Sequence, residues 1–143
     1  MSQTEPRSYD VAIDAPPERV WKALTDPDLT EKYFFGTRVE SDWSQGGEIR
    51  YRNAEGGVDV SGEIVEYDPP RRLTTTFKPS WAPAMEGVPP STVSWEVEEN
   101  GGGSRLTLRH AGFDWSAPGA DMVDGGWQQT MPAVKQVVES GGG

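Results

Sequence analysis

His110 is the single histidine of a chain that has no cysteine, and so the one side chain whose ordinary pKa lies near neutrality. It stands in SRLTLRHAGF, in phase with Leu106 and Leu108, and on a strand that phase sends all three side chains to the same, inward face. An imidazole there has two readings: a hydrogen-bonding or proton-transferring group in a largely apolar pocket, or a structural histidine tied to a neighbouring carbonyl. Asp114 follows four residues later, beyond the strand, and reads as a turn or cap residue. No nucleophile stands at a spacing that completes a catalytic set, so no catalytic residue is assigned. One histidine and scattered carboxylates make no metal-ligand set. The lack of cysteine excludes disulfides and thiolate chemistry. The glycines of SQGGEI and GGGS suit turns, and neither run has phosphate-loop spacing ahead of a helix. No metal and no cofactor is expected.

The remaining candidates are apolar and aromatic. In DGGWQQTMPAVKQVVESGGG, Trp127, Met131, Val134 and Val138 fall in one narrow arc of a helix, with Val123 and Thr130 beside them. Gly125 and Gly126 are expected to precede this helix and Gly141 to close it, while Pro132 removes a backbone donor inside it and predicts a kink. Such a helix needs a broad, concave surface to lie on.

The chain ahead of it supplies strands. SYDVAID alternates Tyr9, Val11 and Ile13 with polar or small residues, and APPERVWKALTDP reads as a helix that Pro27 stops. DLTEKYFFG is a second short helical turn ending in Tyr33, Phe34, Phe35 and Gly36. TRVES, GEIRYRN, VDVSGEIVEYD, RRLTTTFKP, STVSWEVEE and SRLTLRHAGF then read as antiparallel strands joined by EGG, DPP and NGGG turns. Trp95 shares the inward phase of Val93 and Val97. Trp43, just before a Gly-Gly turn, reads as a core residue first and as a plug at the end of the sheet second. PSWAPAMEGVPPS, residues 79–91, is too rich in proline for regular structure and unusually apolar for a loop; Trp81, Met85 and Val88 are expected to fold over something.

Thirteen Lys and Arg against 23 Asp and Glu give a net charge of −10, which repels phosphate backbones and anionic lipid surfaces. Neither nucleic acid nor membrane is expected as a partner. At 143 residues the expectation is one α+β domain over 1–143. With no apolar stretch in MSQTEPRSYD and no long apolar run elsewhere, a cytoplasmic location is the default.

The order of these pieces resembles a known superfamily. IDAPPERVWKALTDPDLTEKYFF, SDWSQGGEIRY, GEIVEYDPPRRLTTTF, LTLRHAGF and GGWQQTMPAVKQVVESG are similar to the SRPBCC, or START-like, proteins. Within that superfamily they look most like the domain of activators of the heat-shock chaperone ATPase. The ordered set spans about the whole chain. It departs from many relatives at Tyr33-Phe34-Phe35, where tryptophan is common, and in the loop around Trp81. The resemblance implies a helix-grip fold: a curved antiparallel sheet wrapped around a long C-terminal helix, with two short helices after the first strand. It also implies a cavity between sheet and last helix, often holding an apolar or aromatic small molecule.

The ligand-binding residues expected on that basis are Phe34, Phe35, Trp81, Met85, Trp95, His110, Trp127 and Met131. The leading expectation is non-covalent binding of a hydrophobic or aromatic small molecule by a monomer or homodimer. The alternatives are a cofactor-free cyclase, hydratase or lyase using the same cavity, and co-regulation of a chaperone ATPase.

Overall fold

Alternation of apolar and polar residues along each strand leaves one sheet face to be covered, and the amphipathic last helix covers it. The computed structural model describes residues 5–80, 89–117 and 119–140. β1 (Arg7–Ile13) leads into α1 (Pro17–Thr25) and α2 (Pro27–Tyr33). There follow β2 (Arg38–Ser41), β3 (Glu48–Arg52), β4 (Val58–Asp68), β5 (Arg72–Pro79), β6 (Ser91–Asn100), β7 (Gly103–Ala111) and α3 (Ala120–Glu139). The strands form one seven-stranded sheet in the order β1-β7-β6-β5-β4-β3-β2, antiparallel at every step. This is the expected α+β helix-grip arrangement. Trp81 and Met85 lie outside the described residues, as do Val88 and Gly141.

The helices begin where local chemistry allows. Pro27 stops α1 as expected and also opens α2, since a missing N–H costs nothing in a first turn; the Asp26 carboxylate caps α2 by accepting from the Asp28 N–H at 2.9 Å. α3 starts earlier than the Gly-Gly pair suggested. Gly119, at φ 87°, makes the turn instead, and Ala120 and Val123 extend the buried arc, so Gly125 and Gly126 lie inside the helix. α3 continues through Pro132. The carbonyl that Pro132 leaves without a donor is that of Gln128, and both residues are exposed, so water can satisfy it. Trp127, Thr130, Met131, Val134 and Val138 are buried while Gln128, Gln129 and Gln136 are exposed.

Side chains fasten α3 at both ends. Near its start, Asp124 accepts from the Tyr9 hydroxyl at 2.6 Å and pairs with Arg7 at 3.1 Å. At its end, Arg19 donates to the Val138 carbonyl, and Lys135 donates to the Glu139 carboxylate at 2.6 Å and the Ala12 carbonyl at 3.0 Å. The Arg19 guanidinium at a last-turn carbonyl suits the helix dipole.

Two β-bulges bend β4. The register passes from Tyr51↔Val60 to Arg52↔Val58, leaving Asp59 unmatched, and from Ile64↔Thr75 to Glu66↔Thr74, leaving Val65 unmatched. Extra residues of this kind curve a strand and re-aim side chains. Between the bulges, Gly62 runs so close to β5 that an added Cβ would stand 1.9 Å from the Thr76 carbonyl oxygen. Backbone cannot swing away as a flexible side chain does. Gly62→Ala is therefore expected to lower stability by about 1–3 kcal/mol through overpacking, read as a shift in the urea midpoint. A change below about 0.5 kcal/mol, the size typical of a neutral surface substitution, would show that the strands part freely.

Candidate functional site

The histidine is enclosed and fully engaged. His110 has no solvent exposure. The indole Nε1–H of Trp127 points at its Nδ1 at 3.0 Å, and an indole nitrogen can only donate. Nδ1 is therefore the acceptor, the ring proton sits on Nε2, and Nε2–H donates to the Ser91 hydroxyl at 2.7 Å. Aromatic rings surround the imidazole: Phe77, Phe113 and Trp115 have centroids 4.8, 5.1 and 5.3 Å away. Burial pushes its pKa down from 6.5 to about 4. A proton on Nδ1 would also face the indole N–H, donor against donor. The carbonyl partner expected for a structural histidine is replaced by two side chains, from β6 and α3, which fix a neutral Nε2–H tautomer. Asp114 forms a turn, accepting from the Ser116 hydroxyl at 2.6 Å and its N–H at 3.0 Å.

In front of His110 lies a cavity of about 280 Å³, close to the lower end of the range for small-molecule sites. Three regions wall it: Phe34, Phe35 and Thr37 at the end of α2, Asp59, Val60 and Phe77 from β4 and β5, and Met122, Val123, Gly126 and Trp127 from α3. The aromatic side chains lie against one another. Trp127 stacks on Phe34 with centroids 5.8 Å apart and tilts against Phe77 at 5.6 Å. Thr37 is buried, and its hydroxyl donates to the Phe34 carbonyl at 2.7 Å, so little of the wall offers hydrogen bonds.

The rim carries exposed apolar surface. Phe35 is 58% and Met122 52% exposed. Phe35 also sits at φ 54°, the left-handed region that costs a side-chain-bearing residue about 1–2 kcal/mol. Its ring lies over Gly126, where an added Cβ would make ordinary contact at 3.6 Å. A strained, solvent-exposed phenylalanine is expensive for folding alone, and strain of this kind concentrates at ligand clamps.

Of the residues expected from the sequence, Phe34, Phe35 and Trp127 come together in this wall. His110 stands behind Trp127 and Phe77, touching both. Trp95 meets Trp127 edge-on at 5.9 Å, and Met131 is 3% exposed one helical turn further along. Trp43 is half-buried against the core and stacks on Tyr67 at 6.1 Å. The sequence reading missed Thr37, Asp59, Val60, Phe77, Met122, Val123 and Gly126 as lining residues. Val60 and Phe77 carry the inward phase of their strands and were within its reach; Asp59 enters through a bulge, which alternation does not announce.

Among the described residues, no group of three or more His, Cys, Asp or Glu side chains is placed to hold a metal ion, and no helix is long and apolar enough to cross a membrane.

No curated protein matches the chain. Solved structures share its fold. CalU16 from Micromonospora echinospora is 27% identical with a TM-score of 0.75, over 93% of this chain and 75% of that one. An HSP90 activator from Plasmodium falciparum is 21% identical with a TM-score of 0.74, over 94% of this chain and 95% of that one. The Aha1 dimer from Colwellia psychrerythraea is 17% identical with a TM-score of 0.75, over 96% and 98% of the two chains. The family described as Activator of Hsp90 ATPase homolog 1-like protein matches residues 14–139, nearly the whole of the helix-grip fold from the turn after β1 to the end of α3, and the chain belongs to it.

Proposed function

We propose that the chain binds an apolar or aromatic small molecule, non-covalently and without transforming it, in the cavity between β4, β5, the end of α2 and the first half of α3. The observation that carries this reading is the cavity of about 280 Å³ walled by Phe34, Phe77, Val60, Val123 and Trp127 with exposed Phe35 and Met122 at its mouth. Apolar surface of that kind, left open to water, gains free energy when a ligand covers it. Catalysis of a cyclase or hydratase type draws less support. Both ring nitrogens of His110 are already occupied, which leaves Asp59 as the one group of the described wall that could transfer a proton.

Gly126→Leu tests the reading. Leucine is a better helix former than glycine by roughly 0.5–1 kcal/mol, and at this position its side chain grows toward Phe35 and the cavity. The variant should keep its fold and lose binding of apolar probes such as naphthalene derivatives, measured by calorimetry. A folded Gly126→Leu protein that binds them as the parent does would remove the cavity from the function.

A second reading has one observation behind it: the family and the solved Hsp90 activator share the whole fold. On that reading the chain docks on a chaperone ATPase, and purified chaperone ATPase activity measured with and without the chain is the test.

A further inference from the structure

Among the described residues that line it, the cavity carries one charged side chain, and this exception arises from a defect in the sheet. Regular alternation would send Asp59 and Val60 to opposite faces of β4, yet both line the cavity. The cause is the bulge: Tyr51 pairs with Val60 and Arg52 with Val58, so Asp59 is the extra residue, and a bulge brings consecutive side chains toward one side. Asn53 steadies the result, its side-chain Nδ2 donating to Asp59 Oδ1 at 2.8 Å. One carboxylate oxygen is used in this way. Among the described residues Asp59 is the single ionisable one of the wall, and no Lys, Arg or His of theirs lines it.

The aromatic walls point to the same sign of charge. Phe34, Phe35, Phe77 and Trp127 bring four aromatic rings to a small volume, and it is over the negative face of such a ring that an organic cation is held. The whole molecule, at a net charge of −10, draws cations and repels anions.

Resting on the cavity-binding function proposed above, we infer that the ligand is an apolar or aromatic molecule carrying one protonated amine, seated with its rings among Phe34, Phe77 and Trp127 and its ammonium group at Asp59. A carboxylic acid of the same skeleton is selected against, because its charge finds no partner in the wall and meets Asp59. A neutral alcohol sits between the two: it can donate a hydrogen bond to the carboxylate but gains nothing from the charge.

Three probes of one skeleton separate these cases: naphthylethylamine, naphthylethanol and naphthylacetate, titrated by calorimetry at pH 7 and low salt. The amine should bind about fivefold to tenfold more tightly than the alcohol, as expected of a charge-assisted hydrogen bond discounted for partial exposure, and the acid more weakly than either. Asp59→Asn keeps an oxygen to accept from Asn53, so the fold is retained. It should erase the amine's advantage over the alcohol. Glu63→Gln, an exposed charge on the same strand, should alter none of the ratios, which sets the local effect apart from the overall field. Salt should narrow the amine's lead in the parent protein and leave the alcohol alone. If the alcohol binds and the amine binds no better, or if Asp59→Asn leaves their ratio intact, the inference is wrong and cavity binding stands. If none of the three binds, cavity binding fails and the inference falls with it.

Discussion

Trp127→Ala is expected to cost about 3–5 kcal/mol of stability, the range for truncating a buried aromatic side chain, and to change which ligands the protein accepts. Trp127 is 4% exposed and holds four side chains in place. It stacks on Phe34, it meets Phe77 and Trp95, and it donates to His110. Removing the indole leaves the Nδ1 of a fully buried imidazole without a donor, which alone costs roughly 1–3 kcal/mol. Trp127→Phe separates the terms: it keeps most of the packing and deletes the hydrogen bond, so its cost should be the smaller part. In the alanine variant the vacated space adjoins the existing cavity. Bulkier ligands should then gain affinity relative to naphthalene-sized ones. Chemical denaturation gives the stability loss and calorimetry the size preference. An unchanged size preference in a folded Trp127→Ala protein would make Trp127 a core residue only.

The periodicities of the sequence carried most of the fold and three of the ten described residues that line the cavity, Phe34, Phe35 and Trp127, and particular residues show why. Leu106, Leu108 and His110 alternate in register with their neighbours, and all three are fully enclosed. Trp127, Met131, Val134 and Val138 follow the helical repeat and are all buried. The start of α3 was hidden because Gly125 and Gly126 carry the strongest local signal for a helix boundary, while the apolar arc that overrides it depends on Ala120 and Val123 meeting the rest of the fold. Asp59 was hidden for a different reason. A bulge is a relation between two strands, Tyr51–Arg52 on one and Val58–Val60 on the other, and no single strand encodes it. The partners of His110 were hidden likewise, since Ser91 and Trp127 are 19 and 17 residues away along the chain. Rules of spacing place residues on faces; which side chains then meet is settled by pairing and packing.

Acidification is expected to weaken the fold through His110, in a window set by its two pKa values. In the unfolded chain the imidazole titrates near its ordinary 6.5; in the folded protein burial lowers this to about 4. The folded state therefore prefers the neutral form, and the stabilisation is fully present above about pH 6.5. Between pH 6.5 and pH 4 the unfolded chain binds a proton that the folded protein refuses, so stability falls as pH falls. With about 1.4 kcal/mol for each pKa step of one, the loss from this group reaches about 3 kcal/mol by pH 4 and then levels off. The groups packed against the ring, Ser91, Phe77, Phe113, Trp115 and Trp127, carry no charge that would offset it. Carboxylates such as Asp124 and Glu139, whose pKa values are lowered by the hydroxyl of Tyr9 and the ammonium of Lys135, add their own acid sensitivity toward the lower end of the window. His110→Gln separates the contributions, because glutamine cannot titrate yet offers both a donor and an acceptor. Urea midpoints from pH 7 to pH 4 should slope more steeply in the parent than in the variant, with the difference concentrated between pH 6.5 and pH 4. Parallel slopes would mean that the imidazole titrates alike in both states, and an NMR titration giving a folded pKa near 6.5 would locate the error in its burial.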